Sequence, residues 1–174
     1  IINDCQMQGV IVDSTRLPEL REFLLSHSSV KFVLIVNTDE QECNPYPFMD
    51  FELLCGLHPV SAADSSIGND LAALLYTSGS TGKPKGIMLS HANILAGASI
   101  VSQYLDITHE DRILAVLPFS FDAGLNQLTT GFQQGATVVL SNFVFPRTIV
   151  RALIEERISL LAGVPTLWAK LVHE

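Results

Sequence analysis

Residues Tyr76 to Gly86 read YTSGSTGKPKG, mostly Gly, Ser, Thr and Pro, with Lys83 and Lys85 among them. A flexible linker of that composition would sit between polar, structureless flanks. These flanks are apolar. DLAALLY, before the stretch, has the length of a strand; IMLSHANILAGASIVSQYL, after it, is apolar and then helical in period. A tight loop between a buried strand and a helix-bearing segment is a common seat for phosphate. Gly79, Gly82 and Gly86 admit close backbone approach to a ligand. Thr77, Ser78, Ser80 and Thr81 add hydroxyls to the backbone N–H groups, Lys83 and Lys85 add charge, and Pro84 stiffens the chain between them. Many donors, two cations and no acid suit a polyphosphate. A plain turn is the competing reading on composition alone.

Outward from this loop the chain alternates strand and helix. GVIVD (9–13) and KFVLIV (31–36) read as strands around LPELREFLLSH, whose Leu17, Leu20, Phe23 and Leu24 have helical spacing. That is a βαβ unit with a parallel sheet. Residues 37–47 read as a surface loop and FMDFELLCGL as a short helix. After the loop, Ser90 is placed to cap a helix from His91 to about Leu105. RILAVLPF, ATVVLS and SLLAGV are strands; SFDAGLNQLTTGFQQG, PRTIVRALIEER and PTLWAKLVHE are helices, the first with Leu125, Leu128 and Phe132 on one face. The predicted fold class is α/β, with layered sheets and packed helices. Three segments are expected: α/β over 1–57, a polar linker over 58–70, and a phosphate-loop and substrate segment over 71–174.

The sequence has 174 residues, 48% of them hydrophobic, and a formal net charge of −8. That charge argues against a nucleic-acid or anionic-membrane surface but leaves room for a small phosphate ligand met by local donors. Cys5, Cys43 and Cys55 show no metal-binding spacing, and no apolar run has transmembrane length, so a cytoplasmic setting is expected. The apolar content and the abrupt ends lead us to expect an internal fragment of a longer protein.

The loop is not a Walker A motif, because Pro84 follows Gly82-Lys83 and Thr77 stands where that motif needs Gly. Neither GxGxxG nor GxSxG can be laid over it. YTSGSTGKPKG instead resembles the phosphate-loop signature of the adenylate-forming superfamily, which includes acyl-CoA ligases, adenylation domains of nonribosomal peptide synthetases, and luciferases. Every fixed position of that signature is matched. LSHANI (89–94), LPFSFDAG (117–124) and AGVPT (162–166) are similar to the family segments that follow.

The resemblance implies part of the large N-terminal domain of an AMP-forming ligase. In such an enzyme a carboxylate attacks the α-phosphate of Mg2+-ATP, giving an acyl-adenylate and pyrophosphate; a thiol of CoA or of a carrier's phosphopantetheine then takes the acyl group. It also implies that Thr77, Ser78, Gly79, Ser80, Thr81 and Gly82 hold the β- and γ-phosphates with Lys85 nearby, while Lys83 occupies a variable position. No metal-binding residue is assigned. Phe121, Asp122 and Gly124 are expected at the substrate. Many acyl and aryl ligases have His where Phe121 stands. SFDAG resembles amino-acid-activating members, in which the Asp pairs with the substrate ammonium; a helix-capping role for Asp122 stays equally open. A similar PFSFD also resembles some bacterial acyl-CoA ligases.

The family's adenine- and ribose-binding segments and its C-terminal-domain lysine are not in this sequence, so the isolated chain is expected to be inactive. The preferred reading is an acyl-CoA ligase, since no carrier-domain context is present. The alternatives are an amino-acid adenylation domain and a non-catalytic nucleotide- or anion-binding module. A phosphotransferase ranks last, for want of a metal-binding acid at useful spacing.

Overall fold

A computed structural model describes residues 1–26, 29–38, 47–57, 65–78, 82–141 and 145–172. They divide into two compact units, Ile1–Asp64 and Ser65–Glu174. In the first, β1 (Gly9–Asp13), β2 (Phe32–Val36) and β3 (Phe48–Asp50) form a parallel sheet in the order β1-β2-β3. Helix α1 (Leu17–Ser26) crosses between β1 and β2, as the sequence predicts. Its Leu17 and Leu24 pack with Val12, Val33, Ile35 and Phe48 in one core. Only one face of the sheet is covered this way, since Ile11 is 62% exposed. The short helix expected from Phe48 onward begins later. Phe48–Asp50 pair with β2, and Asp50 then caps α2 (Phe51–Cys55) by accepting the Leu53 N–H at 2.8 Å. The cap residue gives that chain turn its sharp switch from strand to helix.

The second unit opens with an antiparallel pair, β4 (Leu71–Thr77) and β5 (Lys85–Ser90). The sequence reading expected β4 to be buried and followed by a helix-bearing segment. The structure corrects the first point, since β4 is no better than half-buried, and bears out the second: the segment begins as a strand paired with β4 and carries a helix from His91 onward. Ser90 caps α3 (His91–Tyr104) in a reciprocal box with Asn93, the Asn93 N–H donating to Ser90 Oγ and the Ser90 N–H to Asn93 Oδ1. At the end of the expected linker, Ile67–Asp70 form a turn whose carbonyls receive the His91 and Ala92 N–H groups.

The remaining elements are β6 (Arg112–Ala115), α4 (Asp122–Gln134), β7 (Thr137–Leu140), α5 (Pro146–Glu155), β8 (Leu160–Leu161) and α6 (Pro165–Leu171). Strand β6 lies between β7 and β8, all parallel, with Ile113 and Leu114 essentially solvent-free. Leu114, Ile149 and Leu167 join β6 to α5 and α6 in one core. Helix α4 differs from its expected amphipathic form. Phe132 on the apolar stripe is 70% exposed, and the buried positions are Gly124, Gln127, Thr130 and Gly131. Small residues bring the helix close: a Cβ on Gly131 would stand 2.4 Å from Val138 Cγ2.

The N-terminal edge of this sheet is tied by polar groups. Asp111 accepts the Thr108 N–H at 2.8 Å and the Ser159 hydroxyl at 2.7 Å. Arg112 reaches Glu156 with a 2.9 Å ion pair and donates to its carbonyl. The Thr108 N–H, followed by the Ser159 hydroxyl, holds the Asp111 carboxyl below its ordinary value. The folded state therefore binds this proton less readily than the unfolded state. Its stabilisation is complete above the unfolded carboxylate pKa of about 3.9 and is lost as pH falls through the lower, folded value. We expect Asp111→Asn to flatten the decline of the urea midpoint between about pH 5 and pH 2, read by circular dichroism.

Candidate active site

The described phosphate-loop residues sit at the turn end of the β4–β5 hairpin. Thr77 pairs with Lys85 as the last rung before the loop, and Tyr76 pairs with Gly86 behind it. A Cβ on Gly86 would stand 3.1 Å from the Tyr76 ring, so glycine is what lets the ring lie across the ladder. Thr77, Ser78, Gly82, Lys83, Pro84 and Lys85 are all exposed. Gly79, Ser80 and Thr81 lie outside the described residues. Gly82 has φ +78° and nothing within 4 Å of where a Cβ would be, an open left-handed position. The sequence from 77 to 85 carries hydroxyls and lysines and no carboxylate. That donor set fits a polyanion such as the tail of a nucleotide. Among the described residues no group of three or more His, Cys, Asp or Glu side chains is placed to hold a metal.

The same unit contains a cavity of about 530 Å³ bounded by α3, α4, β5, β6 and β8. Its walls are largely apolar, with Leu89, Ile94, Ile100 and Leu125 among them, and its polar contributors include Asn93, Asp122, Asn126 and Gln127. A mostly apolar cleft with a few convergent polar groups is the usual form of a small-molecule site.

The three expected substrate residues do not behave alike. Asp122 lines the cavity and is exposed, with its Oδ1 accepting the Ala123 N–H at 2.7 Å. It occupies the first turn of α4 rather than the N-cap, which is Phe121 with no side-chain cap bond. The capping alternative is thus not realised at the N-cap. Phe121 is 62% exposed. Gly124 is buried outside the cavity lining, against the Pro118 carbonyl, where a Cβ would stand 1.9 Å from the oxygen. Its observed part is to let α4 start against the strand end.

Sequence reasoning did not single out Asn126 and Gln127. Asn126 Oδ1 accepts the Thr130 hydroxyl at 2.9 Å, and Gln127 Nε2 donates to the carbonyls of Gly124 (3.1 Å) and Leu117 (3.4 Å). The available signal was the run of small and polar residues at 124, 127, 130 and 131, which share one helical face.

These features define an α/β chain with an anion-suited hairpin loop and a separate apolar cleft. The family model for AMP-binding enzymes matches residues 1–174, and the chain belongs to that family. It is 37% identical over 120 residues to surfactin synthase subunit 2 of Bacillus subtilis (strain 168), a match covering 67% of this chain and 3% of that protein. It is 36% identical over 101 residues to a feruloyl-CoA synthase of an Amycolatopsis species, covering 58% of this chain and 21% of that protein. The inhibitor-bound N-terminal domain of FACL13 from Mycobacterium tuberculosis superposes with a TM-score of 0.83 at 21% identity, over 99% of this chain and 42% of that one. The fold is therefore that of the N-terminal domain of adenylate-forming enzymes, and the chain spans a small fraction of the curated relatives it matches. Among the described residues no helix is long and apolar enough to cross a membrane.

Proposed function

We propose that this chain is part of the N-terminal domain of an AMP-forming acid–thiol ligase that acts in the cytoplasm on a small carboxylic acid. The observation that carries the reading is the Thr77–Lys85 rung, which seats a hydroxyl- and amide-rich loop beside a lysine at an exposed hairpin end. In the first step a carboxylate oxygen forms a bond to the α-phosphorus of ATP, the bond to the bridging oxygen breaks, and pyrophosphate leaves. Negative charge on the phosphate oxygens is met by fixed donors. Thr77, Ser78, Gly79, Ser80, Thr81 and Gly82 supply hydroxyls and N–H groups to the β- and γ-phosphates, and Lys85 supplies charge. A divalent cation carried by the nucleotide would add positive charge at the phosphate oxygens. In the second step the sulfur of CoA or of a carrier phosphopantetheine bonds to the acyl carbon and AMP leaves.

The cavity beside α4 receives the body of the acid, with Asp122 in its lining and Phe121 the residue before it in the chain. The adenine pocket and a closing lid come from other parts of the ligase, so the isolated chain is inactive. No nucleic acid takes part. ATP–pyrophosphate exchange by the full-length protein with a panel of acids tests the reading; exchange with none of them would sink it. ATP binding by the isolated chain without exchange in any longer form would favour a non-catalytic nucleotide-binding module instead.

Asp122 supports a second reading, an amino-acid adenylation domain in which its carboxylate meets the substrate ammonium. Because Asp122 is exposed in this chain, solvent weakens that pair, and the effect expected is correspondingly moderate. Asp122→Ala should lower kcat/KM for amino acids about tenfold and leave simple fatty acids within about twofold. Equal loss for both classes would exclude the ammonium contact.

A further inference from the structure

The cavity beside α4 contains a polar group that the fold itself leaves unsatisfied. Gln127 is 5% exposed and lines the cavity. Its Nε2 donates to the carbonyls of Gly124 and Leu117, which fixes the orientation of the amide: the reverse orientation would set oxygen against two oxygens. Gln127 Oε1 is then an acceptor with no partner, and it is the only buried side-chain N or O atom of this kind among the described residues. An unfilled acceptor in a buried position costs free energy comparable to a lost hydrogen bond, so native folds rarely leave one without a purpose.

The surroundings supply no donor. Thr130, on the same buried face, gives its hydroxyl to Asn126 Oδ1, and Thr129 gives its hydroxyl to the Asn126 carbonyl. The cavity that Gln127 lines is far larger than the roughly 30 Å³ share of one water, and most of its lining is apolar. Such a space suits an organic body. Oε1 itself is out of reach of solvent, so a ligand meets it by turning the Gln127 amide and giving up the longer of its two donor bonds, the 3.4 Å one to the Leu117 carbonyl.

We propose that Gln127 is a specificity-determining residue whose Oε1 accepts a hydrogen bond from an O–H or N–H on the body of the acid. The inference rests on the adenylation reading and adds a substrate class to it: hydroxy- or amino-substituted acids with an otherwise apolar body. Asn126, which lines the same cavity one residue earlier, has both its amide protons available for a second polar group.

The test uses the full-length protein and pairs of acids that differ by one donor: 4-hydroxyphenylpropanoate against phenylpropanoate and against its 4-methoxy ether. In the wild type, kcat/KM in ATP–pyrophosphate exchange is expected to favour the hydroxyl over both partners by about 10- to 100-fold. The 4-amino acid should share that preference. Gln127→Met, of similar volume, should bring the ratio to within about threefold of one. Gln127→Glu should restore it, because a buried carboxylic acid can donate to one carbonyl while its other oxygen accepts. A wild-type ratio near one overturns the proposal, as does a preference that persists in Gln127→Met. Should Gln127→Met fail to fold, the wild-type ratios and their retention in Gln127→Glu decide; loss of the preference in folded Gln127→Glu overturns it. Exchange with none of the acids overturns the adenylation reading and this inference with it, whereas exchange without preference overturns this inference alone.

Discussion

Lys85→Ala in the full-length ligase is expected to lower kcat/KM for ATP by about 10²- to 10³-fold while leaving the fold intact. The size follows from what Lys85 would do. Charge that develops on transferring phosphate is stabilised by fixed donors, and removing one such donor from a preorganised site costs about that factor. The selectivity follows from where Lys85 sits. Its backbone forms the last rung with Thr77, but its side chain is exposed, so truncating it leaves the β4–β5 ladder unchanged. Lys83 is the internal control. It is equally exposed and two residues away, yet lies at a variable position of the signature, and Lys83→Ala should stay within about threefold. Lys85→Arg keeps the charge with a different shape and should fall between the two. ATP–pyrophosphate exchange with saturating acid, alongside far-ultraviolet circular dichroism, separates activity from folding. Equal activity in Lys85→Ala and wild type would remove Lys85 from the site.

The alternation of strand and helix was legible because its determinants are local. Ser90 before an apolar helical period, Pro146 and Pro165 at first turns, and β-branched runs such as FVLIV each state an element without help from distant chain. What was not legible depended on partners. Phe48–Asp50 became a strand because β2 offers it a ladder, and three residues carry no period to announce that. Helix α4 misled for a related reason. Hydrophobic spacing placed Leu125, Leu128 and Phe132 on one face, yet close packing against β6 and β7 buried Gly124, Gly131 and Gln127 and left Phe132 exposed. Apolar residues pointing outward on α4, and on β5 where Met88 is 74% exposed, are surfaces that this stretch of chain does not cover by itself. The candidate site divides the same way. The loop's chemistry is written in consecutive residues. The cavity is assembled from residues on two helices and three strands, so only Asp122 of its polar lining stood out in the sequence.

Gly124→Val is expected to destabilise the second unit by about 3 kcal/mol or more, an effect on folding rather than on ligand contact. A Cβ there would stand 1.9 Å from the Pro118 carbonyl oxygen, 2.6 Å from its carbon and 2.9 Å from the Leu117 oxygen. All three are backbone atoms, and none can rotate away as a side-chain tip would. The Leu117 carbonyl also receives Gln127 Nε2, so moving the strand end to make room breaks a buried hydrogen bond as well. Relief would require α4 to back away from β6 and β7, opening the close approach that Gly131 permits beside Val138. Gly97→Ala in α3 provides the contrast. Its added Cβ would meet only the Asn126 amide nitrogen, at 3.4 Å, an ordinary contact with a side chain that can shift. Replacing a mid-helix glycine by alanine should there be neutral or gain up to about 1 kcal/mol. Urea denaturation followed by Trp168 fluorescence reports on this unit, because the single tryptophan lies in α6 beside the buried Leu167 and donates its ring N–H to the Gly163 carbonyl at 3.1 Å. A Gly124→Val midpoint no lower than that of Gly97→Ala would show that the α4 start has room to spare, and Gly124 would then have to be explained by contact with substrate after all.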